Sequence, residues 1–403
     1  MNNTLLQINV DATNGSNGSV AFGINDVVKS NGWNSYIAYG RRAIERENTN
    51  ILHIGNQLNV TWHGIESRLF DNHGLSSRMA TKRFIKQIES INPQIIHLHN
   101  IHGYFLNYKI LFDYLLCSGI PVVWTLHDCW SMTGHCSHFV SVNCNKWQTM
   151  CHNCQYLNFY PRSIFLDRSK RNYLLKKKCF TSLDNMTIVG VSSWIADYVK
   201  MSYLSKYPVK VIHNGIDTNE FKPTESDFRE RIKLGSRKLI LGVASTWTDS
   251  KGLQEFMKLS RDGRFCVVLV GVSDSVKKTL PSEIVAISRT ENVNQLAEIY
   301  SSADVFVNPT YADTFPTVNL EALACGTPVV TYRTGGSPES VDETCGKVVD
   351  CGDYNNLVHA IEELTNSGID YFHSCRNRAV ESFDKTKNYY EYLNIYNELL
   401  NIK

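Results

Sequence analysis

Two carboxylates eight positions apart, Asp313 and Glu321, stand in the densest chemical signal of the chain, NPTYADTFPTVNLEALACGTPVVTYRTGGSPESV. Asp313 falls in a loop after an apolar strand, and Glu321 lies one turn into a helix that begins near Thr317. The first backbone N–H groups of such a helix have no intrahelical acceptor and attract anions, phosphate above all. A carboxylate one turn further along is placed to accept hydrogen bonds from ribose hydroxyls instead. Gly335 and Gly336, at the next strand end, let backbone approach a ligand closely. A helix cap and an ordinary glycine turn are the bland alternative for the same residues.

Other residues carry weaker signals. His127 ends the strand VVWTL and is followed by Asp128. His97, His99 and His102 cluster locally, the first two on one strand face, with no acidic or cysteine partner nearby in sequence. Hydrogen bonding to an acceptor by His99 or His102, and plain packing, both remain open. In NGSNGSV, Gly15 and Gly18 precede a helix expected from Ser19, which suits an acceptor or phosphate loop but lacks the dinucleotide fingerprint. Cys136, Cys144, Cys151 and Cys154 have C-x7-C-x6-C-x2-C spacing, and the last pair is of the kind tetrahedral zinc favours. A structural zinc is the expectation, with disulfides and free buried thiols as rivals. Arg168, Lys170, Arg171, Lys176, Lys177 and Lys178 put six cations into eleven residues, either a basic face toward anionic lipid or a solvated helix side.

These residues need a frame. At 403 residues and 43% hydrophobic content the chain exceeds one core, so two domains are expected. Lys plus Arg number 41 and Asp plus Glu 39, a balance that does not point to nucleic acid. The start, MNNTLLQINVDATNG, lacks the basic and apolar regions of a signal peptide, and CVVLVGV (266–272) is strand-length rather than bilayer-length. A cytoplasmic protein that touches the inner membrane face peripherally is the expectation. TLLQINV, WNSYIAYG, PQIIHLHN, IPVVWTLHD and NMTIVGVSS read as strands of a mostly parallel sheet, alternating with helices. The alternation restarts with RKLILGVAS, RFCVVLVGV, IVAIS, DVFVNPT and TPVVTY. The expected division is 1–205, an acceptor-side Rossmann-like domain with a Cys-rich insertion at 130–161; 206–235, a linker; 236–380, a nucleotide-sugar-binding Rossmann-like domain; and 381–403, a Tyr-rich crossing helix. Two doubly wound α/β domains imply a deep cleft between them, but that plan alone does not choose a reaction.

The pieces HLHNIHGYFLN, WTLHDCWSMTGHC, VIHNGIDTNEFKP, GVASTWTDSKGL and ADVFVNPTYADTFPTVNLEALACGTPVVTYRTGGSPE, in this order, resemble the retaining GT-B glycosyltransferases of family 4, in particular the bacterial exopolysaccharide and colanic-acid branch. The resemblance covers almost the whole chain. It implies an enzyme that moves a hexosyl unit from a UDP- or GDP-linked sugar to a glycan or polyprenyl-diphosphate-linked acceptor, with no catalytic cofactor. Lys251 in SKG resembles the lysine on the donor diphosphate, where a fixed cation stabilises the departing phosphate. Asp313 resembles the first carboxylate of an E-x7-E pair, on the transferred sugar, and Glu321 the second, on the ribose. Thr317 and Val318 would offer N–H groups to the distal phosphate, Gly335 and Gly336 would line the same pocket, and His127 would meet a sugar hydroxyl. Two positions depart from the pattern: the first carboxylate is Asp rather than Glu, and Ser245 replaces the arginine usual six residues before the lysine, leaving Arg333 as a candidate substitute. A sugar-nucleotide epimerase on this fold and a non-catalytic nucleotide-sugar-binding subunit are the alternatives.

Overall fold

The computed structural model describes residues 3–13, 15–43 and 49–402. The chain forms two compact units, Met1–His213 with Tyr389–Lys403, and Asn214–Asn388. The change of unit thus falls inside the interval expected to be a linker. The final fifteen residues belong to the first unit.

The first unit is built on a seven-stranded sheet of β1 (Thr4–Asp11), β2 (Asn34–Arg42), β3 (Asn50–His53), β4 (Ile95–Leu98), β5 (Val122–Leu126), β6 (Met186–Gly190) and β7 (Val209–Val211). Every pairing is parallel, in the order β3-β2-β1-β4-β5-β6-β7. β4, β5 and β6 are buried along their whole length, which is why they read as unbroken apolar runs. The short, half-exposed β7, beyond the last strand expected from the sequence, is the sheet's edge. The crossover helices are α1 (Gly15–Ser30), α2 (Gln57–Phe70), α3 (Arg78–Ile91), α4 (Tyr108–Ser118), α5 (Ser169–Phe180) and α6 (Ser193–Met201). α1 begins at Gly15, not near Ser19, so Gly18 lies in its first turn rather than in a loop. Between β5 and α5 the Cys-rich insertion holds only three short 3-10 turns.

In the second unit a six-stranded parallel sheet runs β10-β9-β8-β11-β12-β13. Its strands are β8 (Lys238–Val243), β9 (Phe265–Val270), β10 (Val285–Ile287), β11 (Val305–Asn308), β12 (Val329–Tyr332) and β13 (Gly346–Val349). Around it lie α7 (Phe228–Arg231), α8 (Leu253–Leu259), α9 (Asp274–Lys277), α10 (Val293–Ser302), α11 (Thr317–Ala324), α12 (Tyr354–Asn366) and α13 (Phe372–Ser382). Ile240, Leu269, Val305 and Val330 of the sheet pack with Leu357 and Ile361 of α12 and with Phe256 of α8 in one core. The last helix, α14 (Lys385–Leu399), starts in the second unit and ends in the first. There Tyr389, Tyr392, Ile395 and Tyr396 join Leu5, Ile24, Ile95, Val123 and Val189 in the core.

Candidate active site

In the second domain the expected site residues Lys251, Asp313 and Gly335 follow the strands β8, β11 and β12. Lys251 closes a 3-10 turn, Asp249–Lys251, that leads into α8. The loop after β11 is sewn to this turn: Tyr311 N–H donates to the Ser250 carbonyl at 2.8 Å, and Thr310 Oγ1 donates to the same carbonyl at 3.3 Å. That stitching brings residues 62 positions apart together, and Lys251 Nζ stands 2.7 Å from Asp313 Oδ2. Both side chains are partly exposed, at 36% and 22%.

Gly335 sets the other wall. Its φ is +55°, and a Cβ there would sit 1.7 Å from the Asp313 carbonyl oxygen, so only glycine allows the loop after β12 to lie on Asp313. Gly336 N–H then donates to the Thr314 carbonyl at 3.0 Å. The same loop region is tied to α11 through Asn319, whose amide bonds Asn308 at 2.8 Å and Ser340 at 2.9 Å in the interior. α11 starts at Thr317 behind Pro316, with half-buried Thr317 and Val318 at its first two positions, where helical N–H groups lack intrahelical acceptors.

Glu321, one turn on, accepts a hydrogen bond from the Tyr300 hydroxyl of α10 at 2.9 Å. Burial pushes its carboxyl up to about 7, against the opposing hydrogen bonds from Tyr300 and Thr317. Arg333 forms an exposed pair with Asp350 at 3.0 Å, and Ser245 is exposed after β8.

The first domain places His127 directly after β5, 8% exposed, with its Nε2 3.1 Å from His99 Nδ1. His99 Nε2 in turn lies 3.0 Å from Gln7 Oε1, and His97 is held by Thr125 and by Tyr396 of α14 at 2.8 and 2.7 Å. His97 and His99 are therefore network and core residues. Burial drives His127 down to about 4, although Asp128 opposes the shift, so the ring is neutral at neutral pH. Its Nδ1 is buried and has no partner among the described residues, an orientation suited to one hydroxyl. His102 pairs with Asp128 at 2.8 Å and also reaches the Tyr160 hydroxyl at 3.0 Å. Burial alone would raise the Asp128 carboxyl; the charge and hydrogen bond of His102 outweigh it and hold Asp128 at about 2. Gly18 packs on the Thr13 backbone, and open space surrounds Gly15.

The four insertion cysteines, Cys136, Cys144, Cys151 and Cys154, line one cavity together with His135 and Trp147. Cys136 and Cys154 share a thiol hydrogen bond, and Gly134 N–H donates to Cys151 Sγ at 3.2 Å. All four are free thiols. As the side chains lie, no three His, Cys, Asp or Glu among the described residues are grouped to hold a metal ion. Lys176 does not belong to the basic face expected of its helix: it is buried, and its Nζ donates to the Trp130 and Thr133 carbonyls at 2.7 and 3.1 Å.

Tyr300 and Asn319 were not visible as site residues in the sequence; both act through side chains joined only by folding. The same holds for the His102–Asp128 pair, 26 positions apart.

The raised Glu321 carboxyl gives a pH prediction. Because the group is neutral below about 7, its ionised form, the stronger acceptor for ribose hydroxyls, fills in as pH rises through that value. Affinity for a nucleotide-diphosphate sugar should climb about five-fold between mildly acidic and mildly alkaline solution, and Glu321→Gln should flatten the curve. Calorimetry that finds the same slope in both proteins would exclude Glu321 from ribose binding.

Family models match both halves of the chain. Residues 29–220 match the family model described as glycosyltransferase family 4, and residues 238–367 the one described as glycosyl transferases group 1. A putative colanic acid biosynthesis glycosyl transferase, WcaC of Escherichia coli, is 23% identical over 377 residues, covering 86% of this chain and 87% of that one. A D-inositol 3-phosphate glycosyltransferase of Corynebacterium jeikeium is 26% identical over 286 residues, 64% of each chain. Among solved structures, sucrose-phosphate synthase from Thermosynechococcus elongatus superimposes with a TM-score of 0.73 at 17% identity over 99% of both chains. Anabaena HepE in complex with UDP-glucose does so at 0.66 and 13%, over 97% of this chain and 98% of that one.

Proposed function

Since the chain belongs to the GT-B glycosyltransferases, with a family 4 amino-terminal domain and a group 1 carboxy-terminal domain, we propose that it transfers a hexosyl unit from a UDP- or GDP-linked sugar to a glycan or polyprenyl-diphosphate-linked acceptor in surface polysaccharide biosynthesis, with retention at the anomeric carbon. One observation carries the donor half of this reading: Lys251 and Asp313 stand paired beside the start of α11. Lys251 and the N–H groups of Thr317 and Val318 supply positive charge to the departing phosphate. Asp313 accepts hydrogen bonds from the sugar, and Glu321 from the ribose. In the first domain, neutral His127 offers Nδ1 to a sugar hydroxyl, and the His102–Asp128 pair offers polar atoms to an acceptor. Retention follows when the leaving phosphate oxygen takes the proton of the incoming hydroxyl on the same face of the sugar ring. The acceptor class draws its support from the colanic acid relative.

A thermal-shift screen of UDP, GDP and their sugars should select one nucleotide, and the stabilising donor should then be turned over, by slow hydrolysis without acceptor and by transfer with one. Proton NMR of the fresh product should show the donor's own anomeric configuration. An inverted product would refute retention; tight donor binding with neither hydrolysis nor transfer would favour the binding-subunit reading.

The Cys-rich segment carries a separate proposal, a structural zinc on Cys136, Cys144, Cys151 and Cys154. Its support is their spacing and their common cavity, and the side chains must draw closer to ligate an ion. Metal analysis of protein purified without chelator should give about one zinc per chain. Less than roughly 0.1 equivalent, with all four thiols titratable, would reject it.

A further inference from the structure

α2 wears much of its apolar surface on the outside. Val60, His63, Gly64 and Ser67 face the domain, whereas Leu58, Trp62 and Ile65, spaced i, i+4, i+7, form a line exposed at 77%, 64% and 42%. Phe70 extends it at 45%. The irregular segment before α5 repeats the pattern, with Phe159 at 61%, Ile164 at 51% and Phe165 at 73%. These two stretches are one surface. Ile164 N–H donates to the Arg68 carbonyl at 2.8 Å, and Arg168 N–H donates to Asp71 Oδ2 at 2.8 Å, at the very end of α2. The guanidinium groups of Arg168 and Arg171 both donate to Asn72 at 3.0 Å.

Charge on this surface is one-sided. Arg68, Arg162, Lys170, Arg171, Lys177 and Lys178 are exposed on the same helices and loop; the carboxylates on those stretches are Glu66, which is half-buried and bonded to Asn72, Asp71, which is buried against His135, and Asp167, which is exposed and binds backbone N–H groups. Scattered apolar side chains on a surface need no explanation, but a contiguous patch with a cationic border does. An apolar stripe that includes a tryptophan, bordered by lysine and arginine, is the pattern of a segment lying in the headgroup region of a bilayer. Among the described residues no helix is long and apolar enough to cross a membrane, so attachment through this face would be peripheral.

We propose that the face formed by α2, residues 159–166 and the start of α5 docks on an anionic lipid surface. Leu58, Trp62, Ile65 and Phe165 enter the boundary between headgroups and acyl chains, and the surrounding cations sit on lipid phosphates. The proposal is independent of donor and acceptor identity, because it rests on side chains that take no part in the sugar chemistry above.

Flotation of the full-length chain with phosphatidylglycerol–phosphatidylcholine vesicles tests it. The protein should float with these vesicles, much less with phosphatidylcholine alone, and less again in high salt. The double variant Trp62→Ser/Phe165→Ser should lower partitioning at least about tenfold, since two large side chains lose their apolar environment. Both positions are exposed, so its thermal unfolding should match that of the parent, and the second-domain variant Ile369→Ser should float like the parent. Failure of the parent to float with phosphatidylglycerol vesicles, or unchanged flotation of the double variant, overturns the proposal. A concentration-dependent dimer in light scattering that the double variant abolishes also overturns it, by assigning the face to a second copy of the chain.

Discussion

Replacing Lys251 with alanine is expected to lower turnover by about 10²–10³, the scale of losing one group that stabilises charge in the transition state. The structure makes this loss separable from misfolding. In the free protein Lys251 pairs with Asp313, both partly exposed, and such a pair contributes no more than about 1 kcal/mol to stability. The variant should therefore unfold close to the parent's temperature while its rate collapses. The pair also holds the ammonium beside the loop after β11. Steady-state rates equal to the parent's, in a protein that still binds donor, would remove Lys251 from the phosphate site.

The second large effect is expected at a residue with no side chain. Gly335→Ala places a methyl group where the Asp313 carbonyl oxygen now lies, 1.7 Å from the ideal Cβ, at a backbone angle that itself costs an L-residue about 1–2 kcal/mol. The loop must withdraw, and Asp313 and the start of α11 move with it. A displacement of about 1 Å in a positioning group costs about 10² in rate, so kcat/KM should fall by at least that much. Gly368→Ala is the matching control, with φ at +69° but open space around the Cβ. It should show the backbone cost in its unfolding temperature and no change in rate. Equal rates for Gly335→Ala and the parent would show that the two loops are not coupled.

Much of this site is legible in the residue string because its parts are local. A buried parallel strand is an apolar run, so β4, β5, β9 and β11 announce themselves, and the residue after each is a candidate ligand contact. Thr317, Val318 and Glu321 are set by helical spacing within α11 alone. β3, β7 and β13 were missed or misplaced because three or four partly exposed residues leave no run to see. α2 was missed for a different reason: its outward apolar line blurs the amphipathic period that marks a helix packed on a core. The start of α1 misled because glycine and serine usually signal a loop, whereas here they begin the helix. Side-chain partners stayed hidden wherever they come from different elements. No pattern ties Tyr300 to Glu321 or His102 to Asp128, and the burial of Lys176 contradicts the plain reading of a basic run.

The tyrosines of α14 impose an order on biosynthesis. Tyr389, Tyr392 and Tyr396 pack on β-sheet residues made more than 190 positions earlier, and Tyr392 and Tyr396 hydrogen-bond Thr125 and His97. Domains usually fold as they leave the ribosome, first one and then the next. Here the first domain's core waits for α14 to be translated, while the second domain is synthesised in between. The nascent chain must keep a nearly finished sheet with an uncovered apolar face, a stretch in which holdase chaperones have something to grip. A released chain that ends at Asn388 should therefore carry a second domain that resists protease and a first domain that does not.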